Sequence, residues 1–132
     1  MATERFQSFT VAGHQLILNI TPYRHNVYIL TELAACQIVA QEVMSEQEMY
    51  TILELLNHYP AYAPYEALLA AISPQSIDQA RAVVHEAIED KMLDQELRGL
   101  RNILRRCRRI LQSFHLDIRN LYQLGYTLVS RP

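Results

Sequence analysis

Between Glu96 and Phe114 the chain reads ELRGLRNILRRCRRILQSF, and Arg98, Arg101, Arg105, Arg106, Arg108 and Arg109 fall within it with no acid between the first and the last. Each guanidinium is permanently charged and planar. Its fork of N–H donors matches the paired oxygens of a phosphate and the O6/N7 edge of guanine. The chemistry available to such a run is therefore recognition of a polyanion.

Spacing decides where the arginines point. Leu97, Leu100, Leu104, Cys107, Leu111 and Phe114 alternate steps of three and four, which predicts one buried helix face. At 100° per residue, Arg98, Asn102, Arg105 and Arg109 lie opposite that stripe and Arg106 just beside them. Arg101 and Arg108 flank the stripe, Arg108 at only about 70° from its centre. The helix is expected over Leu97–Phe114, apolar on one side and arginine on the other.

Charge is segregated along the chain. The 12 Lys+Arg and 14 Asp+Glu residues leave a net −2. Half of the basic residues sit in the Arg98–Arg109 window, so the remainder carries six against fourteen, a formal −8. Asp78, Glu86, Glu89, Asp90, Asp94 and Glu96 immediately precede the window. Two arrangements fit this pattern: the arginine face meets nucleic acid, or it pairs with the acidic 78–96 segment in a charged hairpin.

Other chemistry finds little support. There is no Gly-rich phosphate loop, no H-E-x-x-H, no C-x-x-C and no Gly-flanked serine. His14, His25, His58, His85 and His115 are scattered, and Cys36 and Cys107 lack metal-ligand spacing, which suits reduced thiols. Glu89/Asp90 and Asp94/Glu96 read as a solvated face, and Tyr59, Tyr62 and Tyr65 as packing around Pro60–Pro64 in preference to a stacking platform. No enzyme activity, cofactor or metal is expected. The N-terminal MATERFQSF lacks an apolar signal core and no run approaches the roughly 18 residues needed to span a bilayer, so a cytoplasmic protein with no membrane partner is expected.

The elements that would position the arginines follow in order. Residues 1–43 read as a sheet of three or four short antiparallel strands, FQSFTV, QLILNIT, VYILTEL and QIVAQEV, with a turn at Pro22 and Arg24–Asn26. Residues 44–132 are predominantly helical and form one compact unit with the sheet. Ser45 and Glu48 form a capping box ahead of a helix with Met49, Ile52, Leu53, Leu56 and Tyr59 on its apolar face, closed by Pro60. A second helix starts at Pro64 and breaks at Pro74. A third runs from about Ser76 to Lys91 with Ile77, Ala80, Val84, Ala87 and Ile88 on one side, and the arginine helix is the fourth. Ile118 and Leu121, then Tyr126, Leu128 and Val129 around a turn at Gln123–Gly125, predict a final β-hairpin.

This order, together with Leu104, Cys107, Arg108, Arg109 and Leu111 in the helix and Ile118, Leu121, Gly125, Tyr126 and Leu128 in the hairpin, resembles the winged helix-turn-helix DNA-binding domain of OmpR/PhoB-type bacterial transcription regulators. Those domains end in I-x-x-L-R-x-K-L and a hairpin closing with G-x-G-Y-x-L. Met44, Ser45 and Glu48 resemble the family's L-T-x-x-E, and Pro60 its helix-closing proline. Three departures stand out. Gln123 replaces the first glycine of G-x-G and Tyr122 the preceding arginine. The connection before the arginine helix is acidic and about ten residues longer than usual. The chain holds no receiver domain.

The resemblance implies an α+β winged helix: an N-terminal antiparallel sheet, a helical core and a C-terminal hairpin wing. It implies sequence-specific binding of double-stranded DNA, with Arg98, Asn102, Arg105, Arg106 and Arg109 facing bases and phosphates. Arg101 and Arg108 would hold the backbone, and Arg119 and Asn120 on the hairpin would add backbone contacts. The rival expectation is a winged helix that binds protein. Its acidic Glu86–Glu96 stretch would dock on RNA polymerase or a second copy of the chain, and its arginine face would meet an acidic surface.

Overall fold

The computed structural model describes residues 5–23, 27–73 and 76–131. The expected turn at Arg24–Asn26 and the break at Pro74 fall outside the described residues. Among the described residues the architecture is mixed α+β: a four-stranded antiparallel sheet, five helices and a second, smaller sheet.

Strands β1 (Phe6–Val11), β2 (His14–Tyr23), β3 (Val27–Ala34) and β4 (Gln37–Met44) pair in sequence order. Two-residue turns at Ala12–Gly13 and Ala35–Cys36 join β1 to β2 and β3 to β4, with both central residues at positive φ, the geometry whose twist matches flanking antiparallel strands. Alternation then sorts the side chains by face. Val11, Leu16, Leu18, Tyr28, Leu30 and Met44 are buried against the helices. The opposite face consists of three cross-strand rows: Phe6–Asn19–Ile29–Val43, Ser8–Ile17–Thr31–Gln41 and Thr10–Gln15–Leu33–Ile38. A bulge at Val39 shifts the register of β4 between the last two.

Helix α1 (Glu46–His58) opens as expected from its capping box: Glu48 N–H donates to Ser45 Oγ, and Ser45 N–H donates to the Glu48 carboxylate. Its buried face is Met49, Thr51, Ile52, Leu55 and Leu56, with Leu53 and Tyr59 only half-buried. The stripe is rotated from the sequence expectation because α1 is gripped on several sides, by β3, α2, α5 and the second sheet.

Helix α2 (Tyr65–Ile72) begins one residue after Pro64, and α3 (Ile77–Glu89) carries a second capping box, Ser76 with Gln79. Ala80, Val84 and Ala87 of α3 are buried on α2, whereas Ile77 is exposed. Lys91, at positive φ, ends α3, and Met92 N–H donates back to the Ala87 carbonyl, a left-handed helix cap. One further turn, α4 (Leu93–Glu96), absent from the sequence expectation, leads into α5 (Arg98–Gln112). Among the described residues no helix is long and apolar enough to cross a membrane.

The hairpin is β6 (Leu116–Leu121) and β7 (Gly125–Ser130). A two-residue strand, β5 (Ala63–Pro64), expected only as a connection, adds to β7, in the order β5-β7-β6. At Gly125 the β5 backbone passes so close that a Cβ would overlap the Ala63 carbonyl. Tyr65, at the start of α2, packs edge-on to Tyr126 at 5.6 Å and donates its buried hydroxyl to Asn120 Oδ1 at 2.9 Å. The hairpin is thereby docked against the helices. One apolar cluster runs from Val11 in the first sheet through all the helices to Leu128 in the second.

Candidate nucleic-acid interface

Helix α5 has the apolar face its spacing predicts. Leu97, Leu100, Leu104, Cys107, Leu111 and Phe114 are all buried, and Ile103 and Ile110 widen the stripe. At about 25 cal/mol per Å² of apolar surface, burying leucines to this degree stabilises the helix by about 1.5–3 kcal/mol per side chain. That compensates for two local weaknesses: α5 has no side-chain N-cap, and Gly99 lies in its first turn. Leu97, 1% exposed, pins the α4–α5 joint to the core. The direction of the arginine face is therefore set by packing.

Tertiary contacts divide the arginines into two groups. Arg101 Nη2 meets Asp94 Oδ1 at 2.5 Å across the α4–α5 joint. Arg106 Nε lies 3.6 Å from Glu48 Oε2, the capping-box carboxylate of α1. Arg108 donates to the Ile118 carbonyl at 3.1 Å and lies 3.7 Å from Asp117 Oδ1, tying α5 to β6. Arg98, Arg105 and Arg109 have no carboxylate partner among the described residues, and with Asn102 they are exposed along one line of the helix. Arg109 lies eleven positions beyond Arg98, about 16 Å along the axis at about 1.5 Å per residue.

Arg106 thus differs from its sequence placement beside the outward arginines: α1 holds its charge. Arg101 and Arg108 occupy the flanking positions expected of them, and their partners are protein groups. Arg119 is exposed on β6 with no carboxylate partner among the described residues, while the Asn120 carbonyl is engaged by Tyr65.

Two clefts flank the outward line. One, between the end of α3, α4 and α5, is lined by Lys91, Asp94, Gln95, Arg98, Arg101 and Arg105. The other, between α5 and the hairpin, is lined by Arg101, Leu104, Arg105, Arg108, Asn120 and Tyr126. Arg101 and Arg105 belong to both, and Arg105 alone of the two also lines a third cleft with Gly99, Asn102 and Arg106, which puts it at the centre of the basic surface. Lys91 joins that surface although no sequence signal marked it, because the left-handed cap of α3 brings it there. Asp94 lies in the acidic segment expected as a possible partner, whereas nothing in the sequence marked Glu48 or Asp117: each reaches its arginine only through a helix pair or a hairpin.

The charged-hairpin arrangement is realised at a single residue. Of the six acids between Asp78 and Glu96, only Asp94 forms an ion pair with α5; Asp78 pairs with Arg81, within α3. Among the described residues, no group of three or more His, Cys, Asp or Glu side chains is arranged to hold a metal ion. The hairpin turn carries Tyr122 and Leu124, 76% and 51% exposed, and Gln123 takes the positive φ that a glycine would adopt without strain. No protein-family model, curated protein or solved structure matches this chain.

Proposed function

We propose that this protein is a winged-helix transcriptional regulator that binds double-stranded DNA, with α5 in the major groove and the β6–β7 hairpin as its wing along the adjacent backbone. The observation that carries the reading is the line Arg98–Asn102–Arg105–Arg109, from which every acid is absent and whose three arginines have no carboxylate partner among the described residues. An unneutralised row of guanidinium groups on a rigid, packed helix suits a regularly spaced polyanion. A helix about 10–12 Å across with its side chains fits a major groove about 12 Å wide. Arg105, exposed, lining three clefts and with no carboxylate partner among the described residues, is the residue best placed for the groove floor. Arg101 and Arg108, paired with Asp94 and Asp117, hold α5 in place against α4 and the hairpin.

A second reading has its own support. Tyr122 and Leu124 make the hairpin turn apolar and uncharged, a surface that suits a protein partner better than a phosphate backbone. There the arginine line would meet an acidic protein surface, and the exposed Glu86, Glu89 and Asp90 of α3 would be free for a partner such as RNA polymerase. Fluorescence anisotropy with a random-sequence duplex at two salt concentrations separates the two. Binding that weakens steeply with salt supports DNA recognition, and binding that is absent or insensitive to salt favours the protein-partner reading.

A further inference from the structure

The outer face of the first sheet is unlike the rest of the surface. Its three cross-strand rows contain no Asp, Glu, Lys, Arg or His, in a chain of which 20% of residues are charged. Soluble surfaces ordinarily carry roughly 25–35% charged residues of both signs. Here the positions are Ser, Thr, Asn and Gln interleaved with apolar side chains, and Phe6, Ile38 and Val43 are 59%, 62% and 60% exposed. Ile17, Ile29 and Leu33 lie half-buried between them. The helices pack on the opposite face, so no described element covers this one.

From this we infer that the outer sheet face is a self-association surface, and that two copies of the chain pack these faces together about a two-fold axis. The absence of charge selects the occupant. In a two-fold contact each residue near the axis meets its own copy, so every charge there meets an identical charge. A surface for a different partner gains from charges complementary to that partner; a surface for itself gains from having none. Rows of apolar and uncharged polar side chains can interdigitate when two sheets stack at about 10 Å.

Size sets the strength. Four strands about 4.8 Å apart and about five residues long at 3.3 Å each give a footprint of roughly 320 Å² per copy before side-chain relief. That lies below the ~800 Å² per partner of a standard stable interface, so the dimer is a weak one that forms with rising concentration. Val43, at the end of the first row, shares a cleft with Arg106 and Arg109, so the dimer would reach only the Arg109 end of the arginine line, while Arg98 and Arg105 line other clefts. Self-association is read without DNA, so its failure is distinguishable from a failure of DNA binding.

Sedimentation velocity tests it over about 10 µM to about 1 mM, the range bracketing weak association. The weight-average mass of the native chain should rise toward double. Thr31, in the central row, is the position to charge: Thr31→Lys and Thr31→Glu should each stay monomeric over the same range, and an equimolar mixture should associate again. Circular dichroism melts establish that both variants fold. If either does not, Gln41→Lys and Gln41→Glu in the same row, at an exposed position, take their place. A native chain monomeric throughout, single-charge variants that still dimerise, or a mixture that stays monomeric would each overturn the inference.

Discussion

Replacing one outward arginine and one braced arginine tests how α5 uses its charge. Each phosphate neutralised by a protein cation lowers log K against log salt by about 0.9. A helix using five arginines this way would give a slope of about −4.5. The structure lowers that figure, because Arg101, Arg106 and Arg108 already have Asp94, Glu48 and Asp117 beside them. Arg98, Arg105 and Arg109 alone predict a slope near −2.7, and Arg119 on the hairpin would bring it to about −3.6. At −2.7, raising salt from about 50 to about 200 mM weakens binding about 40-fold; in Arg105→Ala the slope falls to about −1.8 and the loss to about 12-fold. Arg106→Ala should leave the slope almost unchanged, since it removes a charge that Glu48 already offsets. Arg105→Ala should also narrow the ratio between a preferred site and random duplex, because a forked contact to guanine contributes about 1–3 kcal/mol of discrimination. Arg108→Ala should leave that ratio and the slope almost unchanged, since Asp117 already offsets its charge. Fluorescence anisotropy titrations at four salt concentrations supply the slopes. Equal slope changes in Arg105→Ala and Arg106→Ala, or a native slope of −4.5 or steeper, would refute the division into free and braced arginines.

Three substitutions and a chemical probe examine the frame beneath that face. Leu104→Ala should cost about 2–5 kcal/mol in urea denaturation, because the residue is 2% exposed beneath the arginine line; an unchanged midpoint would mean that the helix face is misassigned. Gly125→Ala forces a methyl group into the Ala63 carbonyl, and should destabilise by about 1–3 kcal/mol as β5 is pushed from β7. Gly99→Ala should raise stability by about 0.5–1 kcal/mol, since a Cβ there meets open space within a helix. Burial, reinforced by the nearby Glu48 carboxylate, pushes the Cys107 thiol up to about 12. At about pH 8 Cys107 therefore stays protonated and inert, while exposed Cys36 reacts, so a thiol reagent should titrate a single group in the native chain and both in denaturant.

Local patterns carried much of this protein on their own. The three-and-four spacing from Leu97 to Phe114 determined which side of α5 is buried, because 3.6 residues per turn leaves little choice once leucines recur at that period. Ser45 and Glu48 determined where α1 begins, since both of their hydrogen bonds are made within one turn, and the alternation in β1–β4 determined which side of each strand faces the core. What tertiary structure decided lies between elements. Pro64 marked a helix start and does cap α2, but only the approach of β7 made Ala63–Pro64 a strand as well, and Gly125 is needed only because of that approach. Six arginines look alike in sequence; three became braces because a helix joint, the first turn of α1 and the first strand of the hairpin each placed a carboxylate within 4 Å. Side-chain direction follows from the period of the backbone, whereas the company a charge keeps depends on how distant segments pack, and no spacing along the chain encodes that distance.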